Sequence, residues 1–292
     1  MADIAAQTQS KLQLRSWLTG PFAFIALLIV VRFVLELLGV SHQLTGYLSS
    51  TGAVYLVALY LGAVAPLRGV QKSWQILLPG VLLAAWTQGW VILFTIVSGG
   101  LSLQRSHFAE QQDWGNWAHL GHHALEHLFE IVPVAVVVLV LMAAMMVLWR
   151  WPVTVGPGAV LGGLVVIRFW SEAMNMNPIV SSAWSSSVAF LLCGFYLGGV
   201  GALLGFSSSR KLLVPAMVLG WAWRFWTFVA TLLGAAAPYY KTHFYTRPQA
   251  HPFAHLVVMF GAEVLLVGFV AGLIEWGIAS WTSGAVRRRD PA

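Results

Sequence analysis

Apolar residues run along this chain in eight stretches, each long enough to cross about 30 Å of hydrocarbon, for which roughly 20 helical residues suffice. They fall at roughly 21–41, 50–67, 75–98, 118–149, 157–176, 185–206, 212–236 and 253–282. Inside them the apolar residues are nearly continuous. That pattern predicts helices apolar on most sides, not amphipathic helices around a soluble core. The expected fold is an all-α polytopic membrane protein.

The pattern then repeats itself. Gly20-Pro21 recurs as Gly156-Pro157, an offset of 136. At the same offset Arg32-Phe33 and Glu36 recur as Arg168-Phe169 and Glu172, and Tyr60-Leu61-Gly62 as Tyr196-Leu197-Gly198. His107-Phe108 recurs as His243-Phe244, and Ala118-His119-Leu120 as Ala254-His255-Leu256. An internal duplication outranks other readings of a sequence. Four spans per copy, an even number, give both copies the same orientation: two parallel four-helix repeats about an axis along the membrane normal. The expected organisation is an N-terminal segment 1–19, a first repeat 20–150, a second repeat 151–284 and a basic tail 285–292.

Composition sharpens the class. Hydrophobic residues make up 59% and charged residues 9%, against about 25% charged in soluble domains. Mean hydropathy is +0.77. The net charge of +6 is read as membrane topology, not nucleic-acid binding, because the cations cluster at span ends. Lys11, Arg15, Arg68, Lys72, Arg150, Arg210, Lys211 and Arg287-Arg288-Arg289 all fall on one side. By the positive-inside rule that side is the cytoplasm and holds both termini. Arg105, Lys241 and Arg247 are the minority outside. The expected location is a bacterial inner membrane, with the bilayer itself as the main partner. Residues 1–19 lack the apolar core of a signal peptide. The single cysteine, Cys193, rules out a disulfide framework and a CxxC motif. Tryptophans and tyrosines near the span ends, Trp114, Trp117, Trp151, Trp184, Tyr239 and Tyr240 among them, are expected as interfacial anchors.

Ionisable residues inside spans cost roughly 2.5–3.5 kcal/mol each on insertion scales and are functional candidates by default. Arg32 and Glu36 stand four apart on span 1, as Arg168 and Glu172 do on span 5, so each pair shares a helix face. The fourth span is denser: on a helix His119, His123 and His127 form one stripe, and His122, Glu126 and Glu130 a neighbouring one. If span 1 leaves the membrane near residue 41, Glu36 and Arg32 lie about 8 and 13 Å below that surface, level with the histidine stripe. Imidazoles with carboxylates are the donor set of Fe, Zn, Mn or Cu, and His and Glu projecting into a bundle build di-iron sites. His107, His119, His123, Glu126, His127 and Glu130 are therefore the candidate metal ligands. Arg32, Glu36, Arg168, Glu172, His243, His255 and Glu263 are the candidate residues around a cofactor, with Glu36 accepting from a ligating imidazole and Arg32 holding Glu36. The bland alternatives are ion pairs that merely tie helices together and hydrated interfacial histidines.

The second copy departs from the first. Met259 and Glu263 replace His123 and His127, Val258 and Ala262 replace His122 and Glu126, and His251 adds a loop imidazole. Arg224 replaces Gln88 and is placed to neutralise Glu263. A reduced or different site is expected there.

His119-Leu-Gly-His122-His123 resembles the HxxHH clusters of membrane di-iron hydroxylases and desaturases. Those enzymes carry their clusters on the cytoplasmic side without a 4+4 duplication, so none of their residue roles is transferred. Haem A synthases have a similar 4+4 layout with outward-side histidines, but place Glu and His on the second span of each half, where this chain has neither. Three functions follow as expectations. The first is a membrane metalloprotein, expected to be redox-active, holding Fe, Cu or Zn or alternatively a b-type haem, and so a candidate oxidoreductase. The second is a non-catalytic subunit of a larger membrane complex, and the third an ion or metal transporter.

Overall fold

A computed structural model describes residues 2–206, 208–237, 241–245 and 252–289, with side chains over 17–206, 208–237, 241–245 and 254–286. Tyr239, Tyr240, Arg247 and His251 lie outside the described residues, as do the side chains of Lys11, Arg15 and Arg287–Arg289. Among the described residues the protein is helical throughout, with no strand beyond an isolated bridge between Thr242 and Tyr245. Eight helical segments are long and apolar enough to cross a membrane.

The main helices are α1 (Ala2–Leu37), α2 (Ser50–Val64), α3 (Leu77–Gly100), α4 (Trp117–Leu148), α5 (Val155–Ala173), α6 (Ser186–Leu203) and α7 (Ser209–Ala236). Pro252–Met259, a π-helical stretch Phe260–Val267 and Gly268–Arg289 follow one another as α8. The chain divides into two compact units, Met1–Met146 and Val147–Ala292.

Local chemistry sets the helix ends. The Ser49 hydroxyl accepts from the Gly52 amide at 3.1 Å and caps α2; Ser208 caps α7 in the same way. α1 stops earlier than the apolar run suggested. Gly39 takes φ +88°, its amide reaching the Glu36 carbonyl and the Val40 amide the Leu35 carbonyl, the paired bonds of a Schellman turn. Glu36 therefore sits in the last turn of α1, and the expected helical depth below residue 41 does not hold. α5 ends identically: Asn175 takes φ 52°, with Asn175 N–H to the Glu172 carbonyl and Met176 N–H to the Ser171 carbonyl. Asn is among the few non-glycine residues that tolerate this region, which is why the turn survives without glycine.

Packing inside each unit depends on glycine. In the first unit a Cβ on Gly62 of α2 would lie 2.7 Å from the Met142 backbone of α4, and one on Gly80 of α3 would lie 2.6 Å from Leu139. In the second unit α8 packs on α6 and α7. A Cβ on Gly220 would lie 2.4 Å from the Gly268 carbonyl, and one on Gly198 would lie 2.5 Å from the Ala279 carbonyl. Small residues let backbones approach closely where no hydrophobic force separates helix from lipid. The outward faces are apolar, with Leu27, Phe129, Val132, Val188 and Leu266 among the exposed side chains.

Candidate functional site

Two polar assemblies form at the same end of the first unit. The first is built on Glu36, which is fully buried. Its Oε1 accepts from Arg32 Nε at 3.1 Å and from the Thr45 hydroxyl at 3.0 Å. Its Oε2 accepts from the His107 backbone amide at 3.0 Å and meets His107 Nδ1 at 2.7 Å. A carboxylate only accepts, so Nδ1 carries the proton and Nε2 keeps its lone pair. Phe108 follows His107 into the core, 5.5 Å from Phe94 and 6.1 Å from Phe33 between ring centroids. His107 and Phe108 thus dock the loop after α3 onto the end of α1. Burial pushes the His107 imidazole below its ordinary value, and the bond to Glu36 offsets this only in part.

The second unit repeats this assembly at the matching residues. Arg168 Nε reaches Glu172 Oε1 at 3.1 Å, while Glu172 Oε2 takes the His243 amide at 2.9 Å and meets His243 Nδ1 at 2.6 Å. One contact is lost. Ser181 stands where the first unit has Thr45, and its hydroxyl turns to the Pro178 carbonyl at 3.1 Å. The Glu172 side chain is 14% exposed where that of Glu36 is 0%. It borders an open cleft of about 480 Å³ together with Arg168, Asn175, Ser182, Lys241 and His243.

Among the described residues the second assembly has no such twin. Asp113 closes a short 3-10 turn, Gln111–Asp113, just ahead of α4, and its side chain is fully buried. Oδ1 meets His119 Nδ1 at 2.6 Å, and Oδ2 meets His123 Nδ1 at 2.7 Å and accepts from the Glu110 amide at 2.7 Å. Asn116 caps the helix through its side chain to the His119 amide at 3.2 Å. The carboxylate also sits at the positive end of the α4 dipole. Burial raises the Asp113 carboxyl, but the bonds from His119, His123 and the Glu110 amide outweigh it and hold the group below the usual carboxylate range. One turn further, the His127 ring lies 4.9 Å from that of His123, and His127 Nδ1 meets Glu130 Oε2 at 2.8 Å. Gln88 of α3 donates to the same Glu130 oxygen at 3.4 Å.

The expected convergence of three imidazoles on one point is therefore not what forms. Two share Asp113 and the third takes Glu130, because carboxylates stand within reach of each Nδ1. Among the described residues no group of three His, Cys, Asp or Glu stands close enough to hold a metal ion. Glu126 is directed elsewhere: it meets His122 at 3.3 Å on an exposed face, since four residues separate the two on one stripe. Imidazole and carboxylate are the donor types that transition metals take. His119, His123 and His127 each commit Nδ1 to a carboxylate, the orientation that leaves Nε2 as the basic nitrogen and that accompanies most metal-ligating imidazoles.

In the second unit Glu263, within the π-helical stretch, pairs with Arg224, whose guanidinium lies 5.1 Å over the Trp223 ring. His255 is half-buried. Sequence reasoning missed Asp113 and Glu275. Asp113 lies six residues before His119, in the short turn that leads into α4, and an acid at that distance from a histidine stripe was the available signal. No protein-family profile, curated protein or solved structure matches the chain.

Proposed function

We propose that this chain is an integral membrane protein of two parallel four-helix repeats, whose first repeat holds a transition-metal ion near the outer leaflet. His119, His123 and His127 are its ligands through Nε2, and the site serves a redox role. The observation that carries the reading is the buried Asp113 carboxylate gripping two histidines by Nδ1. An apolar helix gains nothing from burying an acid to orient two imidazoles unless the opposite nitrogens have work to do. The two repeats also divide the labour. The Arg–Glu–His assembly common to both is the scaffold that clamps the loop to the first helix, and the Asp113 cluster, found among the described residues in the first alone, is the functional addition.

A bound Fe or Cu would supply one-electron chemistry at this place, and Zn would supply Lewis acidity. The protein residues do the rest. Asp113 fixes ring orientation and tautomer at His119 and His123, Glu130 does so at His127, and Gln88 holds Glu130. A b-type haem is the alternative cofactor. Metal quantification with an optical spectrum of the purified protein tests the reading. About one metal per chain, or a Soret band, supports it, and neither sinks it.

A second reading, a non-catalytic subunit of a larger membrane complex, is favoured by the absence, among the described residues, of three His, Cys, Asp or Glu close enough to hold a metal ion. Purification in mild detergent separates the two. A monomer with bound metal supports the first, and a stable, metal-free assembly with other membrane proteins supports the second.

A further inference from the structure

The second unit contains a titratable group that neither polar assembly uses. Glu275 lies in the middle of the Gly268–Arg289 segment of α8 and is 0% exposed. Neither of its carboxyl oxygens has a hydrogen-bond partner. It sits over the missing side chain of Gly194 on α6: a Cβ there would come within 3.2 Å of Oε2 and 2.8 Å of Ile278. The adjoining Cys193 is buried and free. The position is particular to this unit, since Leu139 occupies the matching place in the first and packs on Gly80.

The surroundings decide what this carboxyl binds. From α6 the titratable neighbour is Cys193; Tyr196 of the same helix is exposed. From α7, Arg224 is taken by Glu263, twelve residues and about 18 Å away along α8 at the helical rise. Arg210 and Lys211 are exposed at the start of α7. On α8 itself the next polar groups are committed: Trp276 Nε1 donates to the Ser209 carbonyl at 2.7 Å, and Ser280 bonds the Ser209 hydroxyl at 2.7 Å. Among the described residues no cation pairs with Glu275. An unpaired carboxylate transferred from water to a low-dielectric interior carries an idealised cost on the order of 20 kcal/mol, and such a group takes up a proton instead. A hard metal ion would need six or more oxygen ligands, which Gly194, Ile278 and Cys193 cannot supply.

We propose that Glu275 is a proton-binding site in the interior of the second unit. The carboxyl is neutral at rest, and the glycine gap at Gly194 is what accommodates it. Exchange of this proton requires the α6–α8 contact to part, which makes Glu275 the residue through which this unit couples a conformational change to proton uptake or release. The site is independent of the metal reading and needs nothing from the first unit.

Two measurements on the full-length protein test it. The first is infrared spectroscopy at neutral pH on the parent and on Glu275→Gln. The expected result is loss of a protonated-carboxyl C=O band in the variant, and loss of carboxylate bands instead would overturn the proposal. The second needs no variant and holds if Glu275→Gln does not accumulate. Dicyclohexylcarbodiimide, an apolar reagent, reacts with protonated carboxyls: the acid proton goes to one nitrogen, the carboxyl oxygen adds to the central carbon, and rearrangement leaves an N-acylurea with every atom retained. Peptide mapping should place one reagent mass on Glu275, with labelling falling as pH is raised. Modification of other carboxyls while Glu275 stays unmodified would contradict the assignment.

Discussion

Replacing Asp113 by Asn tests the histidine cluster at its most sensitive atom. The carboxylate accepts three bonds, from His119 Nδ1 at 2.6 Å, His123 Nδ1 at 2.7 Å and the Glu110 amide at 2.7 Å. An amide has the same shape but one acceptor oxygen and one donating NH₂. One imidazole keeps its partner. The other now faces a donor and must present a bare Nδ1, which moves its proton to Nε2 and removes the lone pair needed for ligation. Loss of such a supporting bond lowers metal affinity by about 10–100-fold, which corresponds to about 1.4–2.7 kcal/mol. Stability of the metal-free protein should also fall, by about 1.5–3 kcal/mol for one lost bond to a charged group. Competition with a chromophoric chelator reads the affinity, and thermal unfolding of the apo protein reads the stability. Asp113→Ala, which releases both rings, should cost more on both counts. An unchanged affinity in Asp113→Asn, alongside the expected loss of stability, would refute the reasoning and leave the histidines as packing groups.

Glu36→Gln should destabilise by about 3–5 kcal/mol, because Arg32 remains buried without its partner; Glu172→Gln should cost less, since its side chain is 14% exposed, and a denaturant series compares them. Acid should weaken the fold in two steps: His107, kept neutral by burial, begins to cost stability as pH falls below about 6.5, where the unfolded imidazole protonates. Asp113, whose folded carboxyl is depressed, contributes fully above about pH 4 and loses that contribution as pH falls through its folded value. His107→Gln should abolish the upper step in a melting series, and persistence of that step would assign it elsewhere. Gly220→Ala, whose methyl would lie 2.4 Å from the Gly268 carbonyl, should destabilise by at least about 1–3 kcal/mol through overpacking. Gly261→Ala, with nothing within 4 Å, should leave the melting temperature unchanged.

The eight helices were legible because continuous apolar runs leave few alternatives. Most observed bounds fall within a few residues of those read from the sequence, but α1 already begins at Ala2, inside the expected N-terminal segment 1–19, and α8 runs on to Arg289, because hydropathy marks the apolar part of a helix and not its polar extension. The end of α1 was misplaced because hydropathy continues through Leu38 and Val40, while the chain direction is set by the Gly39 turn. The partnership of Arg32, Glu36 and a histidine was readable, since spacing puts the first two on one face and Glu36 needs a donor. That the donor is His107, brought from a loop 71 residues away, depends on Phe108 filling the core beside it. Asp113 was invisible to a search of the spans because it acts from the loop, and an acid's acceptor geometry cannot be read from helical periodicity. Glu275 lay within the run 253–282, where an ionisable residue is already a candidate, but it escaped because it belongs to no stripe or repeated pair; its buried, unpaired oxygens mark it out.

The central claim is that the first unit holds a metal on imidazole Nε2 atoms. Its most direct test is elemental quantification by plasma mass spectrometry of the purified protein, run in parallel on a His119→Ala/His123→Ala variant of equal stability. The account predicts about one transition-metal ion per chain in the parent and near-complete loss in the variant. A metal-free parent, or equal metal content in both proteins, would contradict it.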